Sequence, residues 1–600
     1  MFGIRSRQVS VNLNHSEAGM QHPKINLRRK SHVDVYNKGE SFNVYDTCQH
    51  ATIARNWPNS KKRFAAAVAC INTGCIGLLL GIYAGEVPAI QYAIADFGHY
   101  TILGNVVMYL GLAVSILVFW PLPLLHGRKP YIIAAQILAL VLQLPQGLAV
   151  GGWRDPSTPI YRCLLLSARG LSGIALGLSD INLKTTLLDL FGASLQSRDT
   201  SLDPYAAYDV RKHGGGIGLW LGVLAWSTVG PISIGFMVGA SIVQNGASVA
   251  WAGDFSRVTR GEIKMHLDST GPYWWGEEVA AGFRICGRMM LQPGFMVLAV
   301  YAAWVYAQYS LILMPLGALA SKHYKLTPVY VGLCSLALGL GAMLATPFQK
   351  GSLFSRARSQ GPRTDSLTMQ ERIQWSSHSV RRGLFMLVLP LSASAYAATS
   401  LGPPLLIAVP CIMAGLVGFF TTMATAECYS LIMETFDTTD LQPGMTGQPF
   451  RGSVDEQFLT QRTNFSCYPR VSAGFVITQV LSYIFAAAAT GFCGRIERRE
   501  GTLWATVGVA VTLFTLTILL TLVLVRWKKV QMIPDGAEND LEHLRRVGTS
   551  WRPVVLGRAS GKYRRLSILE MGKMTRFSEI QRRNRLEGRL SGGIRKHVHY

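Results

Sequence analysis

The sequence predicts an all-α polytopic membrane protein, and its composition carries the prediction. Apolar residues make up 49% of the 600 residues and charged residues only 15%. Charge-free stretches reach the length of about 20 residues that a helix needs to cross a bilayer. The net charge of +24 lies mainly in three segments, with +7 in residues 1–63, +5 in residues 349–382 and +11 in residues 526–600. Basic flanks and loops of membrane proteins face the cytoplasm. The charge therefore indicates topology, with a polybasic lipid-headgroup site as the alternative, and no nucleic-acid partner is expected.

Apolar runs of spanning length follow one another along the chain, and there are eleven of them. They cover residues 64–85, 101–125, 131–152, 163–181, 216–243, 294–318, 327–348, 383–400, 402–426, 471–494 and 501–525. Two basic ends on the cytoplasmic side require an even number of crossings. The count of eleven therefore indicates that one crossing is missing.

The missing crossing is expected between the fifth and sixth runs, because the loops alternate correctly before that point and are inverted after it. Residues 252–288 hold ten charges, five of each sign, a composition that excludes a lipid-spanning helix. We expect a span between about Gln244 and Gly253 to be absent, most simply through a gene-model or splicing error. The alternative is that Pro272, Tyr273, Trp274 and Trp275 form a re-entrant or interfacial segment.

This reading divides the chain into tails, helical regions and loops. The predicted parts are a basic cytoplasmic N-terminal tail (1–63), an N-terminal helical bundle of five spans (64–243), a central loop (244–293), a C-terminal helical bundle (294–526) interrupted by a basic cytoplasmic loop (349–382), and a basic cytoplasmic C-terminal tail (527–600). The first 60 residues are hydrophilic, which predicts no cleavable signal peptide.

The fourth run carries polar and small residues on one face. Arg169, Gly173, Gly177 and Asp180 recur at helical spacing and share that face. Glycines at a four-residue spacing allow close helix packing, and a buried arginine is a functional candidate because burying it is costly. We expect a role in proton coupling or in packing of this span, and Asp180 could instead extend to the cytoplasmic edge.

The fifth run combines a proline with three glycines, Gly230, Pro231, Gly235 and Gly239. Proline removes a backbone hydrogen bond and kinks a helix, while glycines permit close approach of a neighbour. This pattern suits a helix that moves in a transporter, although both residue types are common in membrane helices.

Candidate substrate-lining residues are the polar and aromatic side chains within the spans. Tyr301, Trp304 and Gln308 form one stripe that would face a cavity and bind organic cations or flat drugs, or would serve as packing. The others are Gln136, Gln143, Gln479 and Glu86, the last at the outer end of the first span.

Proton coupling needs a titratable group whose pKa can change. Glu86, Asp180 and Glu427 border the spans, and we expect none at mid-depth. Polyamines, which carry several charges, are therefore less favoured than drug-like substrates.

The sequence contains no pattern of an enzyme, a metal site or a cofactor site. Its ten cysteines are scattered without a CxxC pair, which predicts no zinc site and no disulfide framework. It lacks a Walker loop, a GxSxG elbow and an HExxH motif, so an ATP-driven pump, a serine hydrolase and a metalloprotease are not indicated.

Three segments together resemble motifs of the major facilitator superfamily. Residues 120–130, which end in Gly127, Arg128, Lys129 and Pro130, look like the signature between spans two and three, with Trp120 and Leu124 in place of its usual glycine and aspartate. Arg169-x-x-x-Gly173 is similar to the span-four motif, and Gly230-Pro231-x-x-x-Gly235 to a loosened span-five motif of drug:proton antiporters. The segments 182–196, 211–216, 271–278 and 433–437 resemble fungal members of the 12-span drug:H+ antiporter group, some of them multidrug or polyamine transporters.

The resemblance covers roughly residues 55–530 and implies two pseudo-symmetric bundles with 12 spans, of which about 11 are evident. It implies a monomer that moves a small molecule by alternating access, driven by proton exchange, in the plasma membrane or the vacuolar membrane. Gly127, Arg128 and Lys129 would form the cytoplasmic gate, without the aspartate that Leu124 replaces. The alternatives are a polyamine or nutrient transporter, a non-transporting receptor or scaffold, and an inactive product of a faulty gene model.

Overall fold

The computed structural model describes residues 57–96, 98–123, 128–151, 159–191, 217–245, 275–291, 293–349, 356–359, 374–377, 379–436 and 469–526. The described part is all-α apart from one short antiparallel hairpin. Its helices are α1 (Asn59–Ala93), α2 (Leu103–Phe119), α3 (Lys129–Val150), α4 (Ile160–Phe191), α5 (Gly218–Asn245), α6 (Trp275–Met290), α7 (Pro293–Ala318), α8 (Pro328–Leu344), α9 (Ser379–Thr399), α10 (Ala408–Phe436) and α11 (Pro469–Arg526). The hairpin pairs β1 (Arg356–Ser359) with β2 (Gln374–Ser377). Gly501, at φ 86°, divides α11 into a first arm (469–500) and a second arm (502–526).

Ten segments of the described part are long and apolar enough to cross a membrane, and each overlaps one of the predicted runs. The eleventh predicted run, 383–400, lies in α9, which forms a 21-residue helix but does not count among the ten. Arg381 and Arg382 lie in its first turn, and they shorten its apolar part. A multi-pass membrane protein is thus confirmed, with ten candidate spans in place of eleven.

The direction of each helix follows from its contacts, and we call the end where α1 begins the near end and the other the far end. The Cβ position of Gly74 lies 3.3 Å from Pro231 Cγ, and that of Gly85 lies 2.9 Å from the Ala240 nitrogen. Residue numbers rise together along both helices, so α1 and α5 run parallel. Both begin at the near end.

Helix α2 runs the opposite way. Tyr83 OH donates to the Thr101 carbonyl at 2.7 Å, and Asn105 Nδ2 donates to the Leu80 carbonyl at 3.0 Å. The numbers fall along α1 as they rise along α2. Helix α2 therefore ends at the near end.

Helix α8 is antiparallel to α5 and begins where α5 ends. The Cβ position of Gly332 lies 3.0 Å from Met237 Cα, and that of Gly339 lies 3.1 Å from Ser233 Cβ. Helix α5 therefore finishes at the far end. Helix α6 lies at the near end, where Gly282 packs against Pro121 beyond α2.

The chain thus leaves the described part at the far end, at Asn245, and enters it again at the near end, in α6. The predicted missing span falls between these points, at residues 246–274, which lie outside the described residues. The interfacial alternative at Pro272 to Trp275 also falls outside the described residues, except for Trp275, where α6 begins.

The helix pairs of the first half recur in the second half. In the first half α1 packs on α5 and on α4, and α4 packs on α2 and on α3. In the second half α7 packs on α11 and on α10, and α10 packs on α8 and on α9. The halves meet where α2 packs on α11 and where α5 packs on α8. Helices α1 to α5 thus correspond in order to α7 to α11. Replacing each helix by its counterpart converts the α2–α11 junction into the α5–α8 junction.

Candidate functional site

Arg169 is buried where α1, α2 and α3 meet α4. One terminal nitrogen, Nη2, donates to the Leu79 carbonyl at 3.0 Å and to Asn105 Oδ1 at 2.9 Å. The other, Nη1, donates to Gln146 Oε1 at 3.4 Å. Only 2% of the residue is exposed. The arginine of the predicted span-four face therefore ties four helices together.

The cage around this guanidinium consists of neutral groups. No carboxylate of the described residues lies within ion-pair distance, and Nε has no hydrogen-bond partner there. The Tyr83 ring lies below the guanidinium at 4.3 Å from the centroid, a cation-π contact. Glu86, three residues further along α1 and half-buried, is a carboxylate that interacts with Arg169 through space. Within the described residues, no carboxylate therefore contacts the buried positive charge directly.

Two amide side chains orient the cage, and sequence reasoning missed both. Asn105 Nδ2 is bonded to the Leu80 carbonyl, and Gln146 Nε2 donates to Ser172 Oγ at 2.8 Å. With their nitrogens engaged, both amides turn their oxygens toward Arg169. The signal available in the sequence was an amide within a long apolar run: Asn105 is the single amide of its run, and Gln146 shares its run with Gln136 and Gln143.

Helix α1 does not end at residue 85, where the apolar run of the first span ends, and the position of Glu86 at the outer mouth stays a prediction. Helix α1 continues through Glu86 and Pro88 to Ala93. The charge and the proline mark the end of the apolar run, but neither ends the helix. Glu86 therefore lies on the same helix as Tyr83.

A second polar cluster surrounds Asp180, further along α4. Its Oδ2 accepts a hydrogen bond from Lys184 Nζ at 3.0 Å and another from Tyr483 OH at 2.9 Å. Asp180 and Lys184 form an ion pair whose side chains are 1% and 2% exposed. Tyr483 belongs to the first arm of α11, so the hydrogen bond joins the two halves. The expectation that Asp180 extends to the cytoplasmic edge is wrong, because this contact holds it inside.

Tyrosines from three helices gather around this ion pair. The Tyr483 ring lies 5.8 Å from that of Tyr109 on α2, and 5.7 Å from that of Tyr306 on α7 in an edge-to-face arrangement. Each of these tyrosines lies near the middle of its helix. Asp180 is therefore hydrogen-bonded to a residue in the middle part of a helix, and the expectation that no titratable carboxylate lies at mid-depth stays a prediction.

At the near end, Arg128 binds the end of α4. Its Nε pairs with Asp189 Oδ2 at 2.6 Å, and its Nη1 donates to Asn182 Oδ1 at 3.2 Å. Asp189 thus supplies the carboxylate that binds Arg128. Lys129 is exposed at the start of α3, and Gly127 lies outside the described residues. Asp189 was missed because it lies 61 residues away in the chain.

The second half has a corresponding ion pair between α9 and α10. Glu427, which is fully buried, pairs with Arg381 Nε at 2.5 Å and with Arg382 Nε at 3.4 Å. Arg382 also donates to Ser430 Oγ at 3.1 Å. Arginines at the start of α9 thus bind a carboxylate of α10, as Arg128 of α3 binds one of α4. Glu427 is therefore buried inside the protein, although the sequence predicts that it borders a span.

The predicted glycines lie at close helix contacts. A Cβ on Gly173 would strike the Met108 carbonyl of α2, and one on Gly177 would lie 2.6 Å from Ser115 Cβ. Gly235 and Gly239 of α5 face backbone carbonyls of α1 in the same way. At these points only glycine lets the helices approach so closely.

Gly230 and Pro231 form the other part of the predicted span-five set. Pro231 packs over Gly74 and Gly77 of α1, with Cβ positions 3.3 Å and 3.5 Å away. The Gly230 carbonyl lies 3.1 Å from the Cβ position of Gly339 on α8. This part of α5 therefore contacts both halves.

The predicted lining stripe of α7 is enclosed within the second half. Gln308 Nε2 donates to Thr421 Oγ1 of α10 at 3.1 Å, and Trp304 packs edge-on to Phe485 of α11 at 6.4 Å. Tyr301 is fully buried. The structure brings Tyr306 of the same helix to Asp180, and the sequence did not single it out. A role of the stripe in substrate contact stays a prediction.

The remaining predicted lining residues do not form one cluster. Gln479 is buried in α11, with its nitrogen unbonded within the described residues, as is that of half-buried Gln136 on α3. Gln143 is half-buried one helical stretch further along α3. Their roles as substrate contacts stay predictions.

Comparison with known proteins supplies no relative. No protein-family model matches the chain, and no curated protein matches it significantly. Within the described residues, no group of three or more histidine, cysteine, aspartate or glutamate side chains is placed to hold a metal ion. The candidate site therefore stands on geometry alone. It consists of the caged Arg169, a buried ion pair within α4 that is hydrogen-bonded to the second half, and two ion pairs between neighbouring helices.

Proposed function

We propose that the protein is a secondary active transporter with the major facilitator fold, moving small organic molecules across a membrane by alternating access. One observation carries the proposal: helix pairs of the first half recur in the second, and the halves meet along α2–α11 and α5–α8. Transporters of this kind have two repeats that rock about a site at their interface. The Asp180 and Tyr483 contact lies at that interface.

The ion pairs within each half fit the same scheme. Arg128 with Asp189 fixes α3 to α4, and Glu427 with Arg381 fixes α9 to α10. Such pairs make each half move as a unit, because breaking a buried ion pair by moving one partner is costly. The glycine contacts between α1 and α5 add close packing inside the first half. Rocking would then open the contacts between the halves.

We propose proton-coupled export of drug-like compounds or organic cations as the activity. Glu86 is half-buried and faces the charge of Arg169, which is an arrangement that lets a carboxyl group lose and regain a proton as its surroundings change. Tyrosines around Asp180 offer aromatic faces to a flat or cationic molecule. Polyamines and nutrients are the competing substrate classes, and the plasma membrane is the proposed location.

Reconstitution into proteoliposomes tests this function. Vesicles that contain the purified chain should accumulate a labelled lipophilic cation when a proton gradient of the correct sign is imposed, and an ionophore that collapses the gradient should stop accumulation. Arg169→Ala should abolish the signal, and Arg284→Ala, at an exposed position of α6, should retain it. Parallel vesicles supplied with spermidine or amino acids test the competing classes.

The same assay decides the alternatives. A second chain with a 20-residue apolar span inserted near residue 246 is compared with the natural one. Transport by the inserted chain alone supports the inactive-product alternative. No gradient-dependent uptake of any compound by either chain contradicts the transporter proposal and favours a receptor or scaffold.

A further inference from the structure

We propose that Asp180, Tyr483 and Tyr306 form a binding site for a monovalent organic cation, and that Lys184 occupies this site when substrate is absent. The inference rests on the proposed transport function and names its substrate class and site. It goes further by assigning the side-chain ammonium of Lys184 the role of a competing, built-in cation.

The geometry around the carboxylate is that of a cation site. Asp180 Oδ2 accepts two hydrogen bonds, from Lys184 and Tyr483, whereas Oδ1 is buried and has no hydrogen-bond partner. An unpaired carboxylate oxygen in a buried site is costly, which marks a position that a further donor or cation would occupy. The carboxylate therefore has capacity for a third partner, at Oδ1.

Aromatic rings complete the site. Lys184 Nζ lies 6.0 Å from the Tyr483 ring centroid, at the outer limit of a cation-π contact. The Tyr306 and Tyr109 rings pack against Tyr483 from α7 and α2. A carboxylate flanked by tyrosine rings is a recurring means of binding an ammonium group. Lys184 is thus an ammonium already present at a site built for one.

A cation that reaches Asp180 must displace this ammonium, because two cations beside one carboxylate repel each other. The charge of the site is conserved if Lys184 loses one proton as the cation arrives: its R–NH3+ becomes R–NH2, and the proton passes to water. One cation bound then corresponds to one proton released. This is the stoichiometry of an electroneutral exchange.

The titratable groups that face Lys184 and Asp180 come from five helices. They are Tyr109 of α2, Tyr306 of α7, Tyr429 of α10 and Tyr483 of α11, in addition to Asp180 and Lys184 of α4 themselves. Tyrosine phenols keep their protons near neutrality. Lys184 is therefore the proton donor that the exchange requires.

The test measures binding and proton release together on the purified full chain in detergent. Tetraphenylphosphonium is the probe, because its charge is permanent and any released proton must come from the protein. Wild type should release about one proton per probe bound, measured with a pH indicator in weakly buffered solution. Lys184→Met should bind the probe at least about tenfold more tightly, a typical size for coupling between two ligands, and release no proton.

Two further variants guard against loss of folding. Lys184→Arg retains the ion pair with a side chain that stays charged, so it should fold normally, release no proton and bind the probe at least about tenfold more weakly. Lys322→Met, at an exposed position beyond α7, should behave as wild type. Size-exclusion profiles and melting curves establish that each variant is folded.

The inference is overturned if folded Lys184→Met or Lys184→Arg releases protons as wild type does, or if neither variant changes probe affinity. It is also overturned if wild type does not bind the probe while its proteoliposomes transport a neutral compound, a result that leaves the transporter proposal standing. Absence of both probe binding and all gradient-dependent transport contradicts the two proposals together.

Discussion

Tyr483 donates a hydrogen bond of 2.9 Å to Oδ2 of Asp180, and this bond joins α11 to α4 across the boundary between the two halves. Both residues are almost completely buried. A hydrogen bond to a charged acceptor in such surroundings is among the stronger polar contacts of a membrane protein. Its position makes it a direct probe of how firmly the halves are held together.

Removing that bond should loosen the contact between the halves. Tyr483→Phe keeps the ring and removes the hydroxyl, so the free energy of unfolding should fall by about 1–2 kcal/mol. Denaturant titration in detergent measures the change. Tyr330→Phe, at an exposed position of α8, is the matched control and should have no effect. Equal stability of the two variants would show that the bond between the halves adds nothing.

Arg169 should not tolerate replacement by lysine. An ammonium cannot reach the Leu79 carbonyl, Asn105 and Gln146 at once, whereas the planar guanidinium does. We expect Arg169→Lys to lower gradient-driven uptake by more than about tenfold, which is at least 1.4 kcal/mol in the limiting barrier. Arg284→Lys, on the exposed side of α6, should leave uptake unchanged. Full uptake by the Arg169→Lys protein would show that transport requires only a positive charge at this position.

The pair between Arg128 and Asp189 should show energetic coupling. Its two side chains are 11% and 18% exposed and its shortest contact is 2.6 Å, so the pair is partly shielded from water. A double-mutant cycle with Arg128→Gln and Asp189→Asn should give about 1–2 kcal/mol of coupling in the free energy of unfolding. Additive effects of the two substitutions would mean that the contact between Arg128 and Asp189 adds nothing to stability.

A single methyl group at the α2–α4 contact should destabilise the protein. Gly173→Ala places a Cβ against the Met108 carbonyl, where the helices must separate to make room. We expect a loss of about 1–3 kcal/mol, the usual cost of overpacking. Gly147→Ala is the matched control, because nothing lies within 4 Å of the Cβ position at Gly147. Thermal melting of both variants in detergent measures the difference, and equal melting temperatures would contradict the contact.

The glycosylation sequon at Asn464 should remain unmodified. Asn464 lies outside the described residues, but the helix before it is informative. The Cβ position of Gly415 lies 3.2 Å from the Ala337 carbonyl, and that of Gly418 lies 3.3 Å from the Ala342 nitrogen, so α10 runs parallel to α8 and ends at the near end with the start of α1. With a cytoplasmic near end, a glycosidase should cause no mobility shift. A glycosylatable tag inserted between Val150 and Ile160, the far-end termini of α3 and α4, should be modified and is the positive control. A shift that disappears with Asn464→Gln would reverse the proposed sidedness.

Much of the helical architecture was predictable from hydropathy, because a bilayer demands long apolar helices whatever their partners. Helix ends were less predictable. Glu86 and Pro88 interrupt the apolar run, but α1 continues to Ala93 because hydrogen bonding along a helix does not require every residue to be apolar. The spacing of Arg169 and Asp180 predicted that they share one face of their helix, and both side chains are buried.

The partners of these residues were not predictable from local spacing. Tyr483 lies 303 residues from Asp180, and Asp189 lies 61 residues from Arg128. A motif specifies a charged side chain, but the choice of its counterpart depends on which distant helix the fold brings beside it. Asn105 illustrates the limit, since a lone amide in an apolar run signals a polar contact without naming Arg169 as the contact.

The positions of Asn245 and α6 at opposite ends of the bundle have a consequence for biosynthesis. Helix α5 packs on α8 in the antiparallel direction. The second half can therefore pack on the first only if α7 starts at the near end, where α1 begins. A chain inserted with that half upside down would leave the glycine faces of α5 and α8 unmatched in lipid. Orientation errors would thus be exposed to the cell's quality-control proteases before any substrate is met.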